Sequence, residues 1–170
     1  MNQFISEVFS PINLEIFYQL TLALVLGMVI GVEREIAKKK AGLRTFALVS
    51  MGSAFFSIIS IHALDYIEVS AAVSAAFDPT RIAAQIVTGI GFLGAGVIIF
   101  DSSKLRGVTT AAGLWVAAAI GMSVGFKFYA FAVYGTILSL FTFVVLWALE
   151  ERLLDTLRSY RSDDLPGRFE

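Results

Sequence analysis

Five uncharged stretches, residues 16–32, 45–64, 82–100, 108–126 and 128–149, alternate with short charged connections. At a rise of about 1.5 Å per residue, each approximates the roughly 30 Å hydrocarbon layer of a bilayer. The pattern predicts an all-α polytopic membrane protein, a bundle of five transmembrane helices within residues 1–150. Residues 151–170 form a short tail. Ser10-Pro11 and Asp78-Pro79 each pair a good N-cap residue with proline at the first helical position, where its missing N–H costs nothing. Lys127 alone separates the last two stretches, so that turn must be tight, with Gly125 as the expected breaker. Residues 65–77 are moderately apolar and predict a helix lying at the membrane interface. Leu149, Leu153, Leu154 and Leu157 recur at helical spacing, so the fifth helix is expected to run into the tail before Pro166-Gly167 ends it.

Charge sets the orientation. Arg34, Lys38, Lys39, Lys40, Arg44, Lys104, Arg106 and the tail residues Arg152, Arg158, Arg161 and Arg168 fall on one side, against only Arg81 and Lys127 on the other. The positive-inside rule then places the N-terminus outside and the C-terminus in the cytoplasm. The first thirteen residues hold no Lys or Arg, so the n-region of a signal peptide is missing and the first helix is expected to be retained. The chain is 57% hydrophobic, against roughly 45–50% in soluble domains. With a net charge of −1 and basic residues confined to connections, no nucleic-acid partner is expected. Zero cysteines and the single His62 exclude thiol chemistry and make a structural zinc site implausible.

Small residues point to helix contacts. Ala23, Gly27 and Gly31 recur every four residues in the first span, as do Gly113, Ala117, Gly121 and Gly125 in the fourth. Such ladders let backbones approach closely in lipid, where apolar burial alone gives helices no reason to associate. Gly89, Gly91, Gly94 and Gly96 project in several directions from the third span, which predicts packing on more than one side and a place at the centre of the bundle. Gly89, Gly91 and Gly94 also spell a dinucleotide-binding fingerprint. That motif needs a strand before it and an acidic residue about twenty positions on, where this sequence has Leu114 inside an apolar span. No cofactor is expected.

Polar residues inside or beside the spans are the candidate functional groups. Arg81, Gln85 and Thr88 form one stripe on the third span, with Asp78 at its outer end. Side chains at such depth face protein or water, so the stripe reads either as an ion-sensing vestibule or as a cap plus interhelical hydrogen bonds. On the basic side, Glu33, Arg34 and Glu35 close the first span, Arg44 and Thr45 open the second, and Arg106, Thr109 and Thr110 precede or open the fourth. Glu33 or Glu35 is expected to pair with Arg44 or Arg106, and Lys38–Lys40 to meet anionic membrane lipid. Trp115 and His62 read as interfacial residues. No base stands beside a Ser or Thr by spacing, so no enzyme is expected; which metal, if any, is bound stays open.

Several segments, taken in order, carry a resemblance to a known family. Gly27-x-x-x-Gly31-x-Glu33-Arg34-Glu35, Ala41-Gly42-Leu43-Arg44-Thr45, Gly52-Ser53-Ala54, Asp78-Pro79-Thr80-Arg81-Ile82-Ala83-Ala84-Gln85, Gly89-Ile90-Gly91-Phe92-Leu93-Gly94-Ala95-Gly96 and Arg106-Gly107-x-Thr109-Thr110-Ala111-Ala112-x-Leu114-Trp115 resemble the MgtC/SapB family of bacterial membrane proteins. The resemblance implies a multi-pass protein of the bacterial inner membrane, linked to magnesium homeostasis, acid stress and virulence through survival inside a host. Many members carry a cysteine just after the motif tryptophan, where this chain has Val116, and many continue into a soluble C-terminal domain with no counterpart in this sequence. Roles of that thiol or that domain do not transfer.

Two functional expectations follow. The first is a non-enzymatic regulator, homo-oligomeric or bound within the bilayer to another inner-membrane transporter or ATPase. The second is a transporter or channel for a cation such as magnesium, or for a proton, using the stripe of Arg81, Gln85 and Thr88.

Overall fold

The apolar stretches form helices whose limits are set by local chemistry. The computed structural model describes residues 10–63, 78, 80–101, 104–150 and 152–154. Helix α1 spans Pro11–Ile36, α2 Leu43–His62, α3 Thr80–Val97, α4 Val108–Gly125 and α5 Tyr129–Phe141. The last continues through a π-helical segment, Thr142–Leu146, to complete a fifth span ending at Leu154. All five spans are long and apolar enough to cross a membrane, and the chain is a multi-pass membrane protein. The expected interfacial helix at 65–77 and the tail beyond residue 154 lie outside the described residues.

Helix starts and stops follow the sequence with three exceptions. Ser10 caps α1 by accepting a hydrogen bond from the Asn13 amide at 3.4 Å, with Pro11 in the first turn. Helix α1 runs past its uncharged stretch to Ile36 because Glu33, Arg34 and Glu35 are good helix formers; Lys38, at φ 53°, then turns the chain away. The first exception is α3, which stops at Val97, not residue 100. Ile99–Asp101 instead pairs antiparallel with Lys104–Arg106, Phe100 standing opposite Leu105. Ile98, Ile99 and Phe100 are apolar enough for a span but are β-branched or aromatic residues that suit a strand equally. The second is Gly107, which the sequence did not single out. Its φ of 92° is left-handed, and a Cβ there would collide with the Val97 carbonyl, so only glycine joins the hairpin to α4. The third is the turn between α4 and α5. Lys127, at φ 65°, takes the left-handed position, while Gly125 is the last helical residue and serves packing.

Helices α1, α2 and α4 interlock through their backbones. A Cβ on Gly27 would stand 2.6 Å from the Phe46 carbonyl oxygen and 2.8 Å from Ser50 Cβ, and one on Gly31 would lie 2.6 Å from Leu43 Cα. From the other side, a Cβ on Gly121 would run into the Ser50 carbonyl, and one on Gly125 would stand 2.6 Å from Ser57 Cβ. Gly113 makes room for the rings of Phe143 and Phe46. These approaches bring helix surfaces into the close dispersion contact that holds membrane helices together. Two polar ties cross the same seams. Ser50 Oγ donates to the Ala23 carbonyl at 2.7 Å, and Gln19 Nε2 donates to the carbonyls of Val124 at 3.0 Å and Gly125 at 3.3 Å.

Helix α3 is peripheral, contrary to the central position its glycines suggested. Only Ile90 and Gly94 of this helix are buried. Gly94 meets Ala111 of α4, whereas Gly89, Gly91 and Gly96 have nothing within 4 Å of a Cβ position. Glycines pointing in several directions permit several contacts but do not create them, and within the chain α3 has one supporting side. The centre is α4, whose Leu114, Ala117, Ala118, Ile120 and Val124 are all buried.

Candidate functional site

The predicted residues separate into two groups at opposite ends of the helices. At the start of α3, Asp78 accepts two hydrogen bonds on Oδ1, from the Thr80 amide at 2.8 Å and the Thr80 hydroxyl at 2.7 Å. The hydroxyl bond, then the amide bond, hold its carboxyl below the ordinary aspartate value against an opposing effect of desolvation, with the nearby Arg81 charge a lesser contribution. Asp78 therefore acts as a helix cap. Arg81, Gln85 and Thr88 are all exposed on the surface of the chain. Thr88 Oγ1 donates back to the Ala84 carbonyl at 3.2 Å. Gln85 borders an open groove of about 660 Å³ between α2 and α3, with Gly52, Ser53, Phe56, Gly89 and Ile90 around it. The stripe is real as a helix face, but it points outward and not into the interlocked core.

Beside the α4–α5 turn, Lys127 Nζ meets Glu15 Oε1 at 2.8 Å, and this bond raises the lysine above its ordinary value.

At the basic end, the expected ion pairs are replaced by others. Glu33 binds its own neighbour Arg34 in a two-pronged pair, with Arg34 Nη2 donating to Glu33 Oε1 at 2.6 Å and Nε donating to Oε2. The Arg34 guanidinium lies over the Phe143 ring, 3.9 Å from its centroid, and the residue is only 3% exposed. Long side chains with flexible stems can meet from adjacent helical positions, which the (i, i+4) spacing rule does not anticipate. Glu35 accepts the Leu43 amide at 3.1 Å and so supports the start of α2. Arg106 faces Asp101 across the hairpin at 3.7 Å, well exposed, where such a pair contributes about 0–1 kcal/mol. Arg44 and Thr45 are exposed at the start of α2.

One set of predicted residues does converge. Arg34, Thr109 and Thr110 border a half-enclosed cavity of about 290 Å³ together with Lys39, Thr142 and Trp147. Sequence reasoning missed Thr142, Phe143 and Trp147, which sit in an apolar run that reads simply as membrane span. Thr142 and Phe143 open the π-helical segment Thr142–Leu146, and π turns are frequent at functional sites. Trp115 stands apart, half exposed in a shallow groove between α3 and α4 beside Gly91, Gly94 and Ala112. Among the described residues, no three His, Asp or Glu side chains gather as a metal site.

Comparison with known proteins places this architecture. The model of the MgtC family matches residues 20–152. The chain is 43% identical over 141 residues to the Escherichia coli K12 protein named "Putative magnesium transporter YhiD", an overlap covering 83% of this chain and 65% of the relative. It is 41% identical over 134 residues to the protein MgtC of Salmonella typhimurium LT2, covering 79% of this chain and 53% of that protein. The protein SapB of Bacillus subtilis is 40% identical over 119 residues, covering 69% and 50%. The chain thus spans about half to two thirds of the length of these relatives. No solved structure matches it. The family match runs from the middle of α1, through the interlocked core, to the last described turns of the fifth span, and the chain belongs to the MgtC family of membrane proteins.

Proposed function

We propose that this protein is a bacterial inner-membrane component of magnesium homeostasis that acts, without catalysis, by regulating another membrane protein. The observation that carries this reading is the closure of the α1–α2–α4 core. Its helices meet backbone to backbone, and three of its buried polar side chains are satisfied from within: Gln19 and Ser50 by neighbouring helices, Ser57 by the Ser53 carbonyl at 2.8 Å. A conduit needs unsatisfied or hydrated polar groups facing a passage. Here the polar Gln85 instead borders the open groove between α2 and α3, beside Gly52 and Gly89, which have open space in front of them. Such a face suits a neighbouring helix, either of a second copy or of a transporter or ATPase. Acid stress and survival in a host are conditions in which the same regulation would operate.

A photocrosslinking residue at Phe92, which is 81% exposed on α3, tests this in native membranes under magnesium limitation. Adducts to a second copy or to another membrane protein are the expected result. Adducts to lipid alone would overturn it. The printed name of YhiD favours a second reading, a magnesium transporter. On that reading purified protein in liposomes moves magnesium or protons, and Asp78→Asn changes the flux; the use of Asp78 as a helix cap argues against it.

A further inference from the structure

The cavity at the basic end of the helices has the chemistry of an anion site. Helix α4 starts at Val108 with no side-chain cap. Its first bonded amide in this region is that of Ala111, which donates to the Gly107 carbonyl at 2.9 Å, so the amides of residues 108–110 precede the helical ladder. An 18-residue helix presents a partial positive charge there, together with free N–H donors. A second observation is independent of the helix end. Thr110 is only 4% exposed and borders the cavity, yet its hydroxyl has no hydrogen-bond partner among the described residues. Buried hydroxyls are normally paired, and no sealed side-chain atom in the described structure lacks a partner. The Thr110 oxygen is therefore not sealed, and the cavity that this residue lines offers it a partner.

The cationic groups are arranged to match. Glu33 accepts from Arg34 Nε and Nη2, which leaves both hydrogens of Nη1 and the second of Nη2 as the other donors of a guanidinium that lies over Phe143. Lys39, an exposed residue, adds an ammonium, and Glu150, also exposed, lines the same cavity. Glu33 balances Arg34, so the excess positive charge comes from Lys39 and the helix end, partly offset by Glu150. At about 30 Å³ of liquid volume per water, about 290 Å³ holds a tetrahedral anion with part of the group that carries it. Phe143, Leu146 and Trp147 supply its apolar lining.

We propose that this cavity binds a phosphate group, supplied either by the headgroup of an anionic lipid at the membrane boundary or by a phosphate compound in the aqueous phase. The guanidinium, the ammonium, the Thr109 and Thr110 hydroxyls and the α4 amides are the donors that such a group accepts from. The inference goes beyond the regulatory reading and does not depend on it.

The test uses the full chain in maltoside micelles, which contain no phosphate. Trp115→Phe leaves Trp147 as the reporter, since the chain has two tryptophans. One arm titrates inorganic phosphate against chloride at equal ionic strength; the other titrates a short-chain phosphatidylglycerol against an uncharged lipid of equal length. Saturable change of Trp147 emission in either arm supports the proposal, and the arm that responds identifies the source. Thr110→Val should weaken that response about tenfold, the loss of one hydrogen bond to a charged group. Lys39→Gln, at an exposed position that does not threaten folding, should weaken it severalfold. No response in either arm overturns the proposal, as does a response reproduced by chloride or unaltered in both variants.

Discussion

Alanine at Gly121 adds a single methyl group where the Ser50 carbonyl oxygen, carbonyl carbon and Cα all lie inside contact distance. None of these atoms can rotate away, because they belong to the backbone of α2. The seam between α2 and α4 must open, and overpacking of this kind costs about 1–3 kcal/mol. Helix propensity acts in the other direction, since Gly to Ala within a helix gains about 1 kcal/mol. Gly121→Ala should therefore lose roughly 0–2 kcal/mol net. Gly89→Ala is the internal control: it is also within a helix but has nothing within 4 Å, so it keeps the propensity gain of up to about 1 kcal/mol. The two variants should differ by about 1–3 kcal/mol. For a chain of this length that corresponds to roughly 2–12 °C in midpoint, using the about 2–4 °C per kcal/mol of soluble domains. Thermal unfolding in detergent, followed by circular dichroism or by loss of the monodisperse peak on gel filtration, measures the difference. Equal midpoints, or a lower one for Gly89→Ala, would refute the account of the core as backbone contact between α2 and α4.

Other substitutions test other joints. Gly107→Ala combines a left-handed φ with a collision against the Val97 carbonyl; it should cost more than the about 1–2 kcal/mol of the conformation alone and lower the yield of folded protein. Gln19→Leu, which removes the ties to Val124 and Gly125, should lower stability by about 1 kcal/mol, read from the same unfolding curves. The Asp78 cap has a defined pH window. Its folded value is depressed, so the stability it adds is fully present above the unfolded value near pH 4 and is lost only as pH falls through the lower folded value. Amide hydrogen exchange at Thr80 and Arg81 should therefore show the cap intact between pH 7 and 5, and an opening in that range would contradict the assignment.

The spans were legible because lipid imposes one strong demand, a long stretch without charge, and this sequence meets it five times. The α1 and α4 ladders were legible for a similar reason: small residues every four positions line one helix face, and one neighbour suffices to use them. Where hydropathy is indifferent, the sequence was not decisive. Ile98, Ile99 and Phe100 serve a membrane helix and a strand equally well, and the hairpin depends on Gly107 permitting a turn that no hydrophobic pattern announces. Gly89, Gly91 and Gly96 carried no periodicity to say whether any neighbour was present. At the basic end Arg34, Thr109 and Thr110 were identifiable as polar residues near a boundary. Their other wall was not, since Thr142, Phe143 and Trp147 look like ordinary span residues until the π-helical segment widens the turn.

The unequal attachment of the helices also divides the sequence by what governs its variation. Along the seams of α1, α2 and α4 the obstacle to a larger residue is another stretch of main chain, so the chain vetoes change there by itself, whatever company it keeps. On the outer side of α3 the isolated molecule raises no objection to an added side chain. Any constancy found at those positions across relatives would be the signature of something outside the polypeptide.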